Sequence, residues 1–332
     1  MKNLQTAFKP LILMFAMAFV FTSCSSDDDN SAPTTTYQID ITASPSEGGT
    51  TLPQSGDFEK DQLIDLAAIP ADGWHFKEWQ GDVTGAENPK QITVDAAKNI
   101  TAVFERDLFY LADNGVTIMA PEAAVGDSGI INGIVYTKRT ADQITPENAA
   151  TTCTSGIEDM RGLFDTEAFF NEDISHWDVS NVTDMSGMFY FAYEFNQDIS
   201  HWDVSNVTDM STMFGEASSF NQDISQWNVS NVTDMYSMFF FAGSFNQDIS
   251  QWDVSNIPSM SSMFEGASSF NQDIGNWNVS NVSNMAYMFS SATNFNQDLS
   301  GWCVTNIVTE PTNFASNSAL TNNNKPVWGT CP

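Results

Sequence analysis

The sequence predicts a β-rich protein, a small β domain followed by a solenoid of six 25-residue repeats, and three observations predict it. Trp177, Trp202, Trp227, Trp252, Trp277 and Trp302 stand 25 residues apart with no insertion. The same interval separates Phe170, Phe195, Phe220, Phe245, Phe270 and Phe295, and the Met-Phe pairs from Met188-Phe189 to Met288-Phe289. Upstream of them, alternating runs such as Tyr37-Gln-Ile-Asp-Ile-Thr lie between glycine turns, the pattern of half-buried strands.

Residues 1–23 have the layout of a secretory signal peptide: Lys2 and Lys9, an apolar run from Leu11 to Phe21, then Thr22-Ser23 before Cys24. The run is shorter than the roughly 20 apolar residues that a membrane span needs. Small residues directly before a cysteine are the cleavage context of bacterial lipoproteins, so Cys24 is the expected lipidated N-terminus of the mature chain. Acyl chains at about 0.8 kcal/mol per buried methylene would then hold it to a membrane through the lipid anchor alone. The expected location is the outer membrane, at the cell surface. Residues 24–36 form a polar tether with nothing to bury. Its Ser25-Ser26-Asp27-Asp28-Asp29 start resembles the acidic export signal of surface lipoproteins of Bacteroidota, and reads equally as a solvated spacer.

Residues 37–106 read as a small β domain, with strands at Tyr37 to Thr42, Leu63 to Ile69, Gln91 to Val94 and Ile100 to Phe104, and turns at Gly48-Gly49 and Gly81-Asp82. Trp74, Phe76 and Trp79 are expected in its core. Residues 107–156 hold strand-like runs at Phe109 to Leu111, Val116 to Met119 and Ile130 to Thr137. They are assigned as linker and N-terminal cap, because a solenoid needs a cover over its open end. Pro146 marks a turn near a helical start.

The repeats occupy residues 157–306, and each is too small to bury its own apolar side unless it stacks on copies of itself. Within a repeat, Trp202 and Val204 are expected to point inward from a strand and Asp203 outward, giving a parallel ladder. Met185, Met188 and Phe189 suit a short helical or 3₁₀ turn on the return path. The Asn181 to Asn306 column is expected to form a hydrogen-bond ladder. Residues 307–332 are the C-terminal cap, which a Cys303 to Cys331 disulfide would pin over the stack. Cys153, about six rungs or roughly 29 Å away from Cys303, lies beyond disulfide reach of about 7 Å.

The repeats look like the BspA-type, leucine-rich-repeat-like surface proteins, in the branch catalogued as a domain of unknown function in mycoplasma surface proteins. That resemblance implies a right-handed leucine-rich-repeat-like solenoid on a bacterial exterior, with roles in adhesion or protein binding and no catalytic residues. The stretch from Ala71 to Asp82, Ala-Asp-Gly-Trp-His-Phe-Lys-Glu-Trp-Gln-Gly-Asp, with Asn99 to Phe104, is similar to the internalin B-repeat family. This implies a β-grasp-like module serving as a stalk or adhesion spacer.

A net charge of −31 excludes nucleic acid as a partner, since the six repeats hold one basic residue, Arg161, against twenty Asp and Glu. His75, His176 and His201 are the only histidines, and no nucleophile triad, metal motif or phosphate loop accompanies them. Repeated acids such as Asp173, Asp198 and Asp223 single out no catalytic pair, so no enzyme is expected. The partner expected is a protein or glycan on a host or neighbouring cell; the competing class is a structural surface scaffold. No cofactor is expected, although the acidic columns leave calcium open beside the simpler reading of solvated acids.

Recognition is expected where repeats differ. His176, His201, Gln226, Gln251, Asn276 and Gly301 precede the tryptophans and, with Asp178, Asp203, Asn228, Asp253 and Asn278, form a candidate ligand strip or a merely solvated face. Tyr190, Phe191, Tyr193, Phe240 and Phe241, in return loops that elsewhere carry Gly, Glu and Ser, are either an exposed contact patch or buried between coils.

Overall fold

The computed structural model describes residues 34–332. The expected leader, Cys24 and most of the tether lie outside the described residues.

The first unit is built from seven strands: β1 (Thr36–Ser44), β2 (Gly49–Leu52), β3 (Gly56–Glu59), β4 (Leu63–Pro70), β5 (Trp74–Gly81), β6 (Lys90–Thr93) and β7 (Lys98–Arg106). One sheet runs β3-β1-β7-β5, with β1 and β7 parallel and the other pairs antiparallel. The second runs β2-β4-β6. Alternation in sequence becomes alternation in burial: Ile39 and Ile41 from β1, Ile64 and Leu66 from β4, and Ile100, Ala102 and Phe104 from β7 meet in one core. Trp79 is wholly buried there and donates Nε1–H to the Glu87 carbonyl at 3.0 Å, while Trp74 and Phe76 pack against it from the rim. All three aromatics therefore serve packing.

Residues 107–156 hold two hairpins, β8 (Tyr110–Leu111) with β9 (Ile118–Met119), and β10 (Ser128–Ile131) with β11 (Ile134–Lys138), the latter closed by Asn132-Gly133 in positive φ. Beside β11 lies β12 (Thr152–Cys153). The expected helical start near Pro146 amounts to two single 3₁₀ turns, Ala141–Gln143 and Ala149–Thr151. From Ala149 onward the chain is already in register with the repeats, as a coil without their motif. The Ala149 carbonyl accepts Trp177 Nε1–H at 3.1 Å, the bond that Ile174, 25 residues on, accepts from Trp202.

From Ile157 the chain forms coils stacked one residue column on another. Trp177, Trp202 and Trp227 lie parallel at 6.3 and 6.4 Å, and Phe170 to Phe295 make a continuous stack at 5.7–6.0 Å. Each Trp Nε1–H reaches the Ile carbonyl of the preceding coil, from Trp202 to Ile174 through Trp302 to Ile274, at 3.1–3.2 Å. The polar end of a large buried ring is thus satisfied at every level. The register continues past the sixth tryptophan: Phe289 N–H bonds the Phe314 carbonyl, and Thr321 N–H bonds Asn296 Oδ1.

The expected strand at Trp202 to Val204 does not form, although the alternation of burial does. Asp203 Oδ1 accepts the Ser205 N–H, an Asx turn that bends the backbone, and Trp202 N–H bonds back to Ile199 within the coil. Parallel bridges occur instead in the following column, linking Asp159, Asp184, Asp209 and Asp234, and Ser259 with Asn284. The return path is not helical either. Met210, Thr212 and Phe214 send their N–H groups to Asp234, Tyr236 and Met238 of the next coil, while Met213, Gly215 and Ala217 bond three residues back. Thr212 and Glu216 have φ of 53° and 61°, as do their counterparts in other coils with similar values, and these left-handed residues stop any helix from propagating.

The Asn column forms the expected ladder, with Asn206, Asn231, Asn256, Asn281 and Asn306 donating Nδ2–H to Ser carbonyls of the preceding coil at 2.6–2.8 Å. Cys303 and Cys331 are disulfide-bonded at the C-terminal end, and Cys153 is a buried thiol near the Ile118 carbonyl. Among the described residues no helix is long and apolar enough to cross a membrane.

Candidate binding surfaces

The strip is positioned by the Asx turns. Because Asp203, Asn228, Asp253 and Asn278 each hold the N–H of the serine two residues on, the side chains flanking Trp202, Trp227, Trp252 and Trp277 point away from the core. His201, Gln226, Gln251 and Asn276 are accordingly exposed, in one row with those Asx residues. Gln226 and Gln251 touch only the serine beside them, leaving amide capacity unused.

His176 departs from the expectation. It is buried, its Nε2 lies 3.0 Å from the Thr152 carbonyl and its ring 5.0 Å from Tyr136, because the cap covers the first coil. Burial holds its imidazole below the usual pKa, and the Thr152 carbonyl, which only accepts, makes Nε2 the donor. The strip therefore begins at His201.

The acidic columns have a structural occupation. Asp173, Asp198, Asp223, Asp248, Asp273 and Asp298 each accept a backbone N–H two residues on at 2.9–3.0 Å. Bonds from Ser200 and Ser250 hold the Asp198 and Asp248 carboxyls below the ordinary range. Among the described residues no three His, Cys, Asp or Glu side chains are grouped to hold a metal.

The aromatic loops divide in two. Tyr190, Phe191 and Tyr193 form one cluster with centroids 4.2 and 6.0 Å apart, and Phe240 with Phe241 another at 4.7 Å, two coils away. Tyr193 and Phe241 are exposed; Tyr190, Phe191 and Phe240 are half-buried. Glycine in the following coil seats the rings: a Cβ at Gly215 would stand 2.8 Å from the Tyr190 ring, and one at Gly266 2.7 Å from Phe241. Glu216 lies in the coil between, its carboxyl raised by burial. The patch is thus both partly intercalated and partly open.

A third feature was not legible in the sequence. Where the β8–β9 hairpin meets the first two coils, a cleft of about 340 Å³ is lined by Asp113, Asn114, Met119, Asp178, His201 and Asp203 among others. The hairpin is fixed by Ile118 N–H bonding the His176 carbonyl at 2.8 Å, and its turn by Asn114 accepting from Val116 and Thr117. Asp178 Oδ1 accepts from Ser180 N–H and Oγ–H, but its Oδ2 is the one buried side-chain oxygen or nitrogen among the described residues without a partner. Only the cap, which carries none of the repeat motif, makes this Asp differ from the exposed ones in its column.

No curated protein and no solved structure matches the chain. Residues 39–108 match the model of the Divergent InlB B-repeat domain and are similar to it. Residues 135–247 and 223–328 match the model of the Mycoplasma protein of unknown function, DUF285, including the cap from β11 onward and the seventh, partial coil. Those two matches together span more than half of the 332 residues, and the chain belongs to that family.

Proposed function

We propose that the protein is a cell-surface lipoprotein that binds a protein or glycan of a host or neighbouring cell. In this reading Cys24 carries the lipid that holds the chain at the outer membrane, and the B-repeat-like unit spaces the stack from it. The stack itself is a right-handed leucine-rich-repeat-like solenoid of BspA type. The role is recognition and not catalysis, with no cofactor. The observation that carries it is the coil-to-coil variation along one exposed row, His201, Gln226, Gln251 and Asn276, between columns that the repeat holds fixed. A periodic scaffold has no need of such variation, whereas a recognition face does.

The test is an array of glycans and surface proteins probed with the protein and with a Gln226→Ala, Gln251→Ala double variant. Specific capture that the double variant loses by tenfold or more is expected. Capture of nothing by the intact protein, or equal capture by the variant, overturns the strip as the binding face. A Phe240→Ser, Phe241→Ser variant run alongside reports on the aromatic loops. For the anchor, incorporation of a clickable fatty acid that Cys24→Ser abolishes is the expected result.

A further inference from the structure

Asp178 is more than its turn requires. In later coils Asn228 and Asn278 accept the same two bonds from Ser230 and Ser280, so an amide suffices for the turn. Asp203 and Asp253 are acids too, but exposed ones. Asp178 is 3% exposed, and a desolvated carboxylate with one oxygen unpaired is costly where an amide would cost less. The cleft that it lines brings two further carboxylates, Asp113 and Asp203, and contains no lysine or arginine. His201 is the only side chain there that can carry positive charge. Met119, half-buried, supplies an apolar wall. The volume suits one side chain and not a folded domain.

We propose that this cleft receives the guanidinium or ammonium group of an arginine or lysine side chain presented by a partner protein. The cation donates to Asp178 Oδ2, Asp113 and Asp203 flank it, and its methylene stem lies against Met119. Oδ2 is sealed from solvent, so the donor reaches it on local opening of the cleft. Charge complementarity fits the protein as a whole, at net −31. The inference rests on the reading of the strip as a binding face, since His201 and Asp203 belong to both.

Isothermal titration of the protein with N-acetyl-arginine amide, and with the neutral isostere N-acetyl-citrulline amide, tests it. Saturable binding of the arginine compound is expected, weakened at least tenfold for citrulline, at least tenfold in Asp178→Asn, and further by raised salt. Asp178→Asn keeps the turn acceptor found at Asn228, and a thermal midpoint at or above the parent's confirms that it folds. Absence of binding, equal binding of the two compounds, or full affinity in Asp178→Asn overturns the cleft. A positive array with a blank titration removes the cleft alone; a positive titration with a blank array removes the strip alone.

Discussion

Thr212 holds φ at 53°, a conformation that costs an L-residue about 1–2 kcal/mol. The same column carries Gly162 and Gly187, for which it is free of that penalty. Thr212→Gly should therefore raise stability by about 0.5–1 kcal/mol, after about 0.5–1 kcal/mol for glycine's greater chain entropy; a denaturant midpoint reads it. His176 predicts a pH dependence. Its folded pKa is depressed by burial, so its contribution is complete above the unfolded value of about 6.5. It is lost as pH falls from there through the folded pKa, when only the unfolded chain takes up the proton. The turn carboxylates Asp198, Asp248, Asp253 and Asp298, held low by serine N–H and hydroxyl groups, contribute above about pH 4. Their contribution is lost as pH falls through their depressed values. Melting curves from pH 8 to 3 should thus fall in two stages, and His176→Gln should remove the upper one.

At the scale of the coil, the bonds that matter run between neighbours. Asn231→Ala removes the donor to the Ser205 carbonyl and should cost about 1 kcal/mol. Trp227→Phe should cost roughly 2–3 kcal/mol, combining lost buried area with an unpaired Ile199 carbonyl. Such coils were half legible in advance. A strict period names the columns, and burial of Trp, Val, Met and Phe follows from apolarity alone. The backbone path between them did not follow, because Trp-Asp-Val alternates as a strand does while the Asp side chain captures the Ser205 N–H and turns the chain. The left-handed residues Thr212, Phe191 and Phe241 were equally hidden, since their side chains give no propensity signal for positive φ. The strip was readable from its variation, but the burial of His176 was not. What covers it is the cap, and no repeat predicts a residue outside the repetition.

For the molecule as a whole, acidity comes with turn-bound carboxylates, and among the described residues no three His, Cys, Asp or Glu side chains are grouped to hold a metal, so saturating calcium and EDTA should give the same melting temperature within about 1 °C. The ends differ more than the middle. Opening the Cys303–Cys331 bond by reduction, or Cys331→Ala, should lower stability by roughly 3–4 kcal/mol for a loop of 28 residues' separation. A linear array in which each layer touches only its neighbours frays from its termini. Here one terminus is stapled covalently, while the other is covered by short hairpins and single 3₁₀ turns. Loss of structure should consequently travel in one direction, layer by layer from the hairpin end, with amide exchange fastest near Ala149 and slowest toward Trp302. A pull on the N-terminal side of the stack would therefore reach the layer where His201 and Asp203 meet the cap before it reached any later layer.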